Sequence, residues 1–247
     1  MRNDVLINEW ERIDDLHRNG YMLIQNPKAF CFGIDAVLLS DFAVVKEGEE
    51  VLDIGTGTGV IPILLCGKTK GKHFTGIEIQ EESVFMAKRS VLLNSLENRI
   101  DICLGDIRKY DEYFKPSSFD VVVTNPPYMS AYGGLKNDAL DKSVARHEIS
   151  LTLSEVIGSA KKLLKPQGRF YMIHRPQRLA DIFFEMRSLG IEPKTLRLIH
   201  TTPDKEPSMA LVSGVRNGRP MLKVMPPIII YNPDGSYTEE IRHIYYD

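Results

Sequence analysis

Short runs rich in β-branched and other apolar residues punctuate this chain at 50–54, 73–79, 100–104, 119–124 and 169–173. Each is followed by a helical pattern or a loop, and the helices are predicted over 60–66, 81–95, 151–164 and 178–189. Strand and helix in alternation predict right-handed βαβ units that build a parallel sheet. Lys165-Pro166-Gln167-Gly168 supplies the Pro and Gly expected just beyond a helix C-terminus.

After Gly190 the pattern changes. Two strand-like runs, 195–201 and 209–215, are joined by the turn-rich Thr202-Pro203-Asp204-Lys205-Glu206-Pro207, which leaves no room for a helix. They predict an antiparallel addition at a sheet edge. The apolar run 222–231 holds Pro226-Pro227, which cannot donate ladder hydrogen bonds and so belongs on an edge or in an extended strap. Ahead of the first sheet strand, 21–25 reads as a small strand and 33–43 as an amphipathic helix, while the tail 239–247 reads as peripheral. There is no internal repeat, low-complexity tract or Gly/Ser-rich linker.

With 43% hydrophobic residues, 247 residues bury one substantial core, so one α/β domain with short appendages is expected. The division is an N-terminal strand/helix appendage over 1–43 and a catalytic domain with an edge extension over 44–247. Cys31, Cys66 and Cys103 are odd in number, widely spaced, in apolar or strand-like contexts and without a Cys-x-x-Cys pair, and read as reduced core residues of a cytosolic protein. The charged N-terminus and the absence of roughly 18 consecutive apolar residues indicate neither secretion nor membrane insertion. A net charge of -2 hides an asymmetry: 161–225 holds 13 Lys and Arg against 5 Asp and Glu, and is therefore +8 within an otherwise acidic chain. That segment either meets a polyanion or is a basic face that balances an acidic one.

Val51-Leu52-Asp53-Ile54-Gly55-Thr56-Gly57-Thr58-Gly59 places an apolar strand before a glycine turn that opens a helix. Such a turn brings backbone N–H groups and a helix N-terminus against a ligand. Gly-x-Gly-x-x-Gly spacing fails, because the sixth position is Val60 counted from Gly55 and Pro62 counted from Gly57. A cofactor without pyrophosphate fits better. Gly76-Ile77-Glu78-Ile79 ends the next strand with a carboxylate where nucleoside-binding α/β folds hold ribose hydroxyls. Gly105-Asp106-Ile107 ends the third strand with a second acid, placed to accept from an adenine amino group and equally suited to cap a helix.

Asn125-Pro126-Pro127-Tyr128 follows the strand at 119–124 and so sits at its C-terminal end, where open parallel sheets bind ligands. Two prolines fix the backbone and remove its N–H groups. An aniline-like or amide nitrogen is a poor nucleophile because its lone pair is delocalised. The Asn125 side-chain oxygen and the Pro126 carbonyl can each accept one N–H, which frees the lone pair for in-line attack on a sulfonium methyl. Tyr128 offers a flat face for stacking.

The glycine turn and this tetrapeptide, in this order and spacing, resemble the motifs of class I amino-methyltransferases dependent on S-adenosylmethionine. That resemblance implies a Rossmann-like, mostly parallel seven-stranded sheet with an antiparallel last strand and helices on both faces. More closely, the chain resembles the bacterial tRNA (adenine-N6)-methyltransferase family that modifies valine tRNA in the anticodon loop. Phe30-Cys31-Phe32-Gly33-Ile34-Asp35-Ala36-Val37-Leu38-Leu39, Ala145-Arg146-His147-Glu148 and His174-Arg175-Pro176-Gln177-Arg178-Leu179 carry it. It implies S-adenosyl-L-methionine held by Phe32, Asp35, Asp53, Gly55, Thr56, Gly57, Gly59, Glu78, Ile79, Asp106, Ile107 and Asn125, with Phe32 and Asp35 at the methionine end. Phe32 and Asp35 also read as a core aromatic and a helix cap. Arg146, His147, His174 and Arg175 are candidate phosphate contacts, or surface ion-pair residues. No metal ligand is implied.

A glutamine N5-methyltransferase acting on release factors poses the same lone-pair problem with the same tetrapeptide. Those proteins carry a sizeable helical domain first, whereas about 30 residues precede the resemblance here. DNA adenine methyltransferases with this motif usually add a large recognition domain, for which no segment is available. RNA remains as the acceptor, read through loop-presented bases that can be splayed out and stacked, with phosphates met by the basic C-terminal half, and the family resemblance implies adenine N6 in tRNA. A non-catalytic cofactor- and RNA-binding protein is the third alternative, and the intact tetrapeptide counts against it.

Overall fold

A computed structural model describes residues 5–29, 31–126 and 151–246. Strand β3 (Glu50–Ile54) is central to the main sheet. On one side lie β4 (His73–Glu78) and β5 (Ile100–Leu104), both parallel to it. On the other lie β6 (Phe119–Thr124) and β7 (Leu164–His174), again parallel. With β8 (Ile191–His200) and β9 (Pro207–Arg216) the order of the seven long strands is β8-β9-β7-β6-β3-β4-β5. Two-residue strands β10 (Lys223–Val224) and β11 (Ile228–Ile229) pair with β8, separated by Met225, Pro226 and Pro227.

The alternation of side chains across a pleat explains the layers. Val51, Val121, Val123, Tyr171, Ile173 and Leu211 enter one core cluster, with α1 (Ile34–Phe42) and α2 (Val60–Lys68). Leu52, Ile54, Val122, Phe170, Met172 and Val212 enter the other, with α4 (Leu153–Leu163) and α5 (Leu179–Ser188). Helix α2 buries every residue from Val60 to Cys66, and its Pro62 sits in the first turn, where a missing N–H costs nothing. Helix α4 opens on a capping box: the Thr152 hydroxyl accepts from Glu155 N and the Glu155 carboxylate accepts from Thr152 N.

The antiparallel addition expected at the sheet edge is the β8–β9 pair, which joins the sheet beyond β7, with β9 antiparallel to both its neighbours. Two expectations are corrected here. The tail is not peripheral, because α6 (Glu239–Tyr246) buries Ile241 and Ile244 in the same cluster as α1 and α2. The strand expected at 169–173 begins at Leu164, directly after the α4 helix.

The N-terminal segment forms a hairpin of β1 (Arg12–Asp15) and β2 (Met22–Gln25) on α3 (Glu81–Leu93). Asn94 acts as a strand would, since its Oδ1 accepts from Met22 N and its Nδ2 donates to Met22 O. Ser90 Oγ accepts from Ile24 N, so buried backbone groups of β2 are satisfied by side chains of α3 and its C-cap. Arg89 holds Glu11 with a 2.5 Å contact and donates to Leu6 O, and that guanidinium keeps the Glu11 carboxyl down at about 2.

Candidate functional site at the switch point of the sheet

The chain runs from β3 outward through β4 and β5, then returns to the other side of β3 as β6. The crevice beyond the C-terminal ends of β3 and β6 is therefore where an open α/β sheet binds ligands. Ile54 pairs with Thr124, and the Thr124 hydroxyl donates to Ile54 O at 2.9 Å. Gly55 and Asn125 thus leave neighbouring strands at one level, which brings the glycine turn and the tetrapeptide together.

Gly55, Gly57 and Gly59 have φ of 72°, 55° and 85°, a left-handed path that side chains disfavour. The turn spends its donors inside the protein. Gly55 N and Thr56 N donate to Ile77 O, Gly59 N donates to Thr56 O, and Gly57 N donates to Glu78 Oε2 at 3.0 Å. A glycine turn of this kind is expected to aim its N–H groups at a ligand, yet four of them are already satisfied within the protein. Such a loop is poorly suited to pyrophosphate. It offers space instead: a Cβ at Gly55 or Gly57 would meet nothing within 4 Å. Gly76 gives room from below, since a Cβ there would come within 2.7 Å of the Thr56 side chain.

Glu78 is 8% exposed, and its Oε1 accepts from Ile79 N and Gln80 N at 2.8 and 2.9 Å. Its carboxylate ties the glycine turn to the start of α3 and keeps about one of four lone-pair positions for a ligand. Ile79, next along, is 48% exposed, an apolar side chain held open at the rim. Ile107 is buried beneath the neighbouring turn. Asp106 caps that turn by accepting from Arg108 N, and both its oxygens accept from the Arg108 guanidinium at 2.5 to 2.9 Å. Arg108 beside it holds the Asp106 carboxyl below its ordinary range. The cap reading of Asp106 is what the geometry displays, and Arg108 was missed because a partner two residues away leaves no periodic signal.

Asp53 is 1% exposed, and neither carboxyl oxygen has a hydrogen-bond partner among the described residues. Burial pushes its pKa up to about 7, the neighbouring Thr56 hydroxyl opposes this, and the Glu78 charge adds to it. The folded protein thus holds the Asp53 proton more tightly than the unfolded chain. Stabilisation from that proton is present below the unfolded value of 3.8 and is lost as pH rises to about 7. In cofactor-free protein, the melting temperature of Asp53→Asn relative to the parent should therefore climb between pH 4 and 7 and level off above. An offset that stays constant with pH, followed by scanning fluorimetry, would remove the buried proton from the account.

At the tetrapeptide, Asn125 is half-buried and Pro126 buried. Asn125 Nδ2 donates to Asp35 Oδ2 at 2.9 Å. Asp35, 7% exposed in the first turn of α1, also accepts from Ala36 N through Oδ1. Phe32 is half-buried against the α1 and α2 core, and its N donates to Gln25 Oε1 at 2.8 Å. Gln25, almost fully buried, was missed by the sequence reading because a lone Gln at a strand end resembles a surface residue. Pro127, Tyr128, Arg146 and His147 lie outside the described residues.

His174 and Arg175 differ in kind. His174 is 3% exposed, its Nδ1 accepts from Arg175 N, and burial pushes its pKa down, so the ring is neutral and braces the backbone. Arg175 is exposed at the same end of the sheet as Asn125. The rest of the basic segment is mostly engaged elsewhere: Lys165 pairs with Asp120, Arg169 with Glu49 and Arg197 with Glu240. Lys161, Lys162, Lys165 and Arg216 sit near the opposite ends of the strands. The +8 segment thus balances acids from the remainder of the chain as much as it awaits a polyanion.

Residues 45–199 match the family model described as a methyltransferase domain. A tRNA1(Val) (adenine(37)-N6)-methyltransferase of Bacteroides thetaiotaomicron is 34% identical over 86% of this chain and 89% of its own length. One of Phocaeicola vulgatus is 31% identical over 73% and 75%. The chain belongs to the tRNA1(Val) (adenine(37)-N6)-methyltransferase family. Solved structures agree on the fold. A protein of Agrobacterium tumefaciens described as a predicted O-methyltransferase superposes with a TM-score of 0.68 at 22% identity, over 85% of this chain and 95% of that one. Geranyl diphosphate C-methyltransferase of Streptomyces coelicolor, solved with S-adenosyl-L-homocysteine, gives 0.55 at 13% identity over 73% and 74%.

As a member of this methyltransferase family, the chain uses S-adenosyl-L-methionine. The residues present fit that cofactor. It is a sulfonium with an ammonium group and no phosphate, and the crevice offers the unpartnered Asp53 carboxyl, the Asp35 and Glu78 carboxylates and open space over Gly55 and Gly57. Among the described residues no helix is long and apolar enough to cross a membrane, and no group of three or more His, Cys, Asp or Glu could hold a metal ion.

Proposed function

We propose that this chain transfers a methyl group from S-adenosylmethionine to the exocyclic N6 amine of an adenine in tRNA, in the cytoplasm. The observation that carries the reading is the hydrogen bond from Asn125 Nδ2 to Asp35. A carboxylate only accepts, so the amide nitrogen must face Asp35 and the amide's acceptor end, Oδ1, must face the other way. Oδ1 and the Pro126 carbonyl then supply two acceptors for one NH2 group. Their pull on its hydrogens localises the nitrogen lone pair, and the adjacent glycine turn sets where a methyl donor lies. The names of the relatives support tRNA as the acceptor.

In this reading Asn125, Pro126, Pro127 and Tyr128 form the catalytic corner, with Tyr128 as the stacking face. Phe32, Asp35, Asp53, Gly55, Thr56, Gly57, Gly59, Glu78, Ile79, Asp106 and Ile107 surround the cofactor. Residues 1–43 cover its methionine end, and 44–247 form the catalytic domain. Arg175, with Arg146 and His147, meets phosphate. Bound cofactor supplies an electrophilic methyl on sulfur, and the protein's residues hold and aim the amine.

The test uses labelled cofactor and total tRNA from a strain lacking this modification. Label in N6-methyladenosine of the digested tRNA is the expected result. Label in protein, or in no acceptor, would sink the proposal.

A further inference from the structure

The reaction proposed above requires that one particular atom of the Asn125 amide face the substrate. An amide rotated by half a turn about its last bond has almost the same shape and presents two donors where an acceptor is needed. Something must break that near-degeneracy, and proline rigidity cannot, because it acts on the backbone.

We propose that Asp35 is the positioning residue that fixes the amide orientation of Asn125, and that the N-terminal segment holds Asp35 in place for this purpose. Both Asp35 oxygens are assigned: Oδ1 accepts from Ala36 N at 3.0 Å and Oδ2 from Asn125 Nδ2 at 2.9 Å. The first contact locks the carboxylate to the start of α1, so the second has a fixed direction. Gly33 makes room for this arrangement, since a Cβ there would stand 3.0 Å from Asp35 Oδ1. Just ahead, Gln25 Oε1 accepts from Phe32 N, while Gln25 Nε2 donates to Asp14 of β1. The backbone of β2 is in turn satisfied by Asn94 and Ser90. Polar contacts therefore tie α3 to the hairpin and the hairpin to Phe32, three residues ahead of Asp35. Asp35 itself reaches the tetrapeptide, 90 residues along the sequence.

The inference rests on the proposed reaction, and the chemistry of Asn against Asp gives it a sharp test. In Asp35→Asn the new amide can satisfy Ala36 N only by pointing its oxygen there, which turns its NH2 toward the NH2 of Asn125. Asn125 must then flip and present donors to the substrate. In the exchange Asp35→Asn with Asn125→Asp, residue 35 donates to one oxygen of the new carboxylate and the other oxygen remains as acceptor.

Full-length variants are assayed at saturating cofactor, with cofactor affinity measured separately by calorimetry. Asp35→Asn is expected to lose about 100-fold in kcat at saturating cofactor, by the scale of a lost preorganised acceptor, a loss separate from any weakening of cofactor Kd that follows from removing a carboxylate at its methionine end. The exchanged pair is expected to exceed Asn125→Asp alone by at least about tenfold, by the coupling expected of contacting residues. A weakened cofactor Kd with unchanged kcat would make Asp35 a cofactor contact only and overturn the proposal, as would an exchanged pair no better than the single variant. A parent that methylates no tRNA would count against the proposed reaction alone. The orientation would then be read from the Asn125 side-chain NH2 resonances, which should be protected from exchange in the parent and lose that protection in Asp35→Asn. Equal protection in both would overturn it. Asp35→Asn is isosteric, and its melting temperature establishes that it folds.

Discussion

Asn125→Ala should lower kcat by about 10²- to 10³-fold, or about 3–4 kcal/mol of barrier, the cost of removing one preorganised polar group from a site where charge develops. Cofactor affinity should change little, because Ile77 and Glu78 hold the glycine turn and Asp35, although it loses its Asn125 contact, stays bound to Ala36 N at the start of α1. Thr124, which docks β6 on Ile54, is untouched, so the fold should persist. The measurement is single-turnover methylation of tRNA alongside cofactor titration. An equal loss in both would show that Asn125 binds the donor and does not aim the acceptor.

The second large effect concerns Glu78. Glu78→Ala should weaken cofactor binding by about 100-fold or more, because it removes a carboxylate near the expected ribose and also strands the N–H groups of Gly57, Ile79 and Gln80. A donor left unsatisfied costs up to about 1–3 kcal/mol when buried, and less at these part-buried positions, where water can replace the carboxylate. The melting temperature should fall with affinity for the same reason. Glu78→Gln separates the two contributions. Its oxygen can still serve Ile79 N and Gln80 N, but its NH2 then faces Gly57 N, so the glycine turn alone is disturbed. An affinity that survives in both variants would take Glu78 out of the site.

The parallel half of the fold was legible because burial on both faces writes strands as apolar runs: 50–54, 100–104 and 119–124 match β3, β5 and β6 residue for residue. The order of strands in space was not. Both strands after Gly190 carry similar apolar patterns, so nothing local says that β9 is interior and β8 lies outside it. The tail misled through its charges, although Ile241 and Ile244, three apart, were the available sign of a buried helical stripe. In the site, glycine spacing and strand-ending acids marked the place. Partners did not show, because Gly57–Glu78 and Asp35–Asn125 join distant positions, and no pattern in one sequence pairs a polar residue with another 90 residues away.

The place of β9 bears on how the chain can be made. During synthesis β3 to β8 are complete before Pro207 leaves the ribosome, yet the flank of β7 stays bare until the next strand arrives. A nascent chain at that stage displays one edge of Arg169 to His174 unpaired, opposite the edge held by β6, as a template for pairing with another molecule. Ribosome stalling or truncation before residue 207 should therefore yield aggregates rather than a smaller soluble domain.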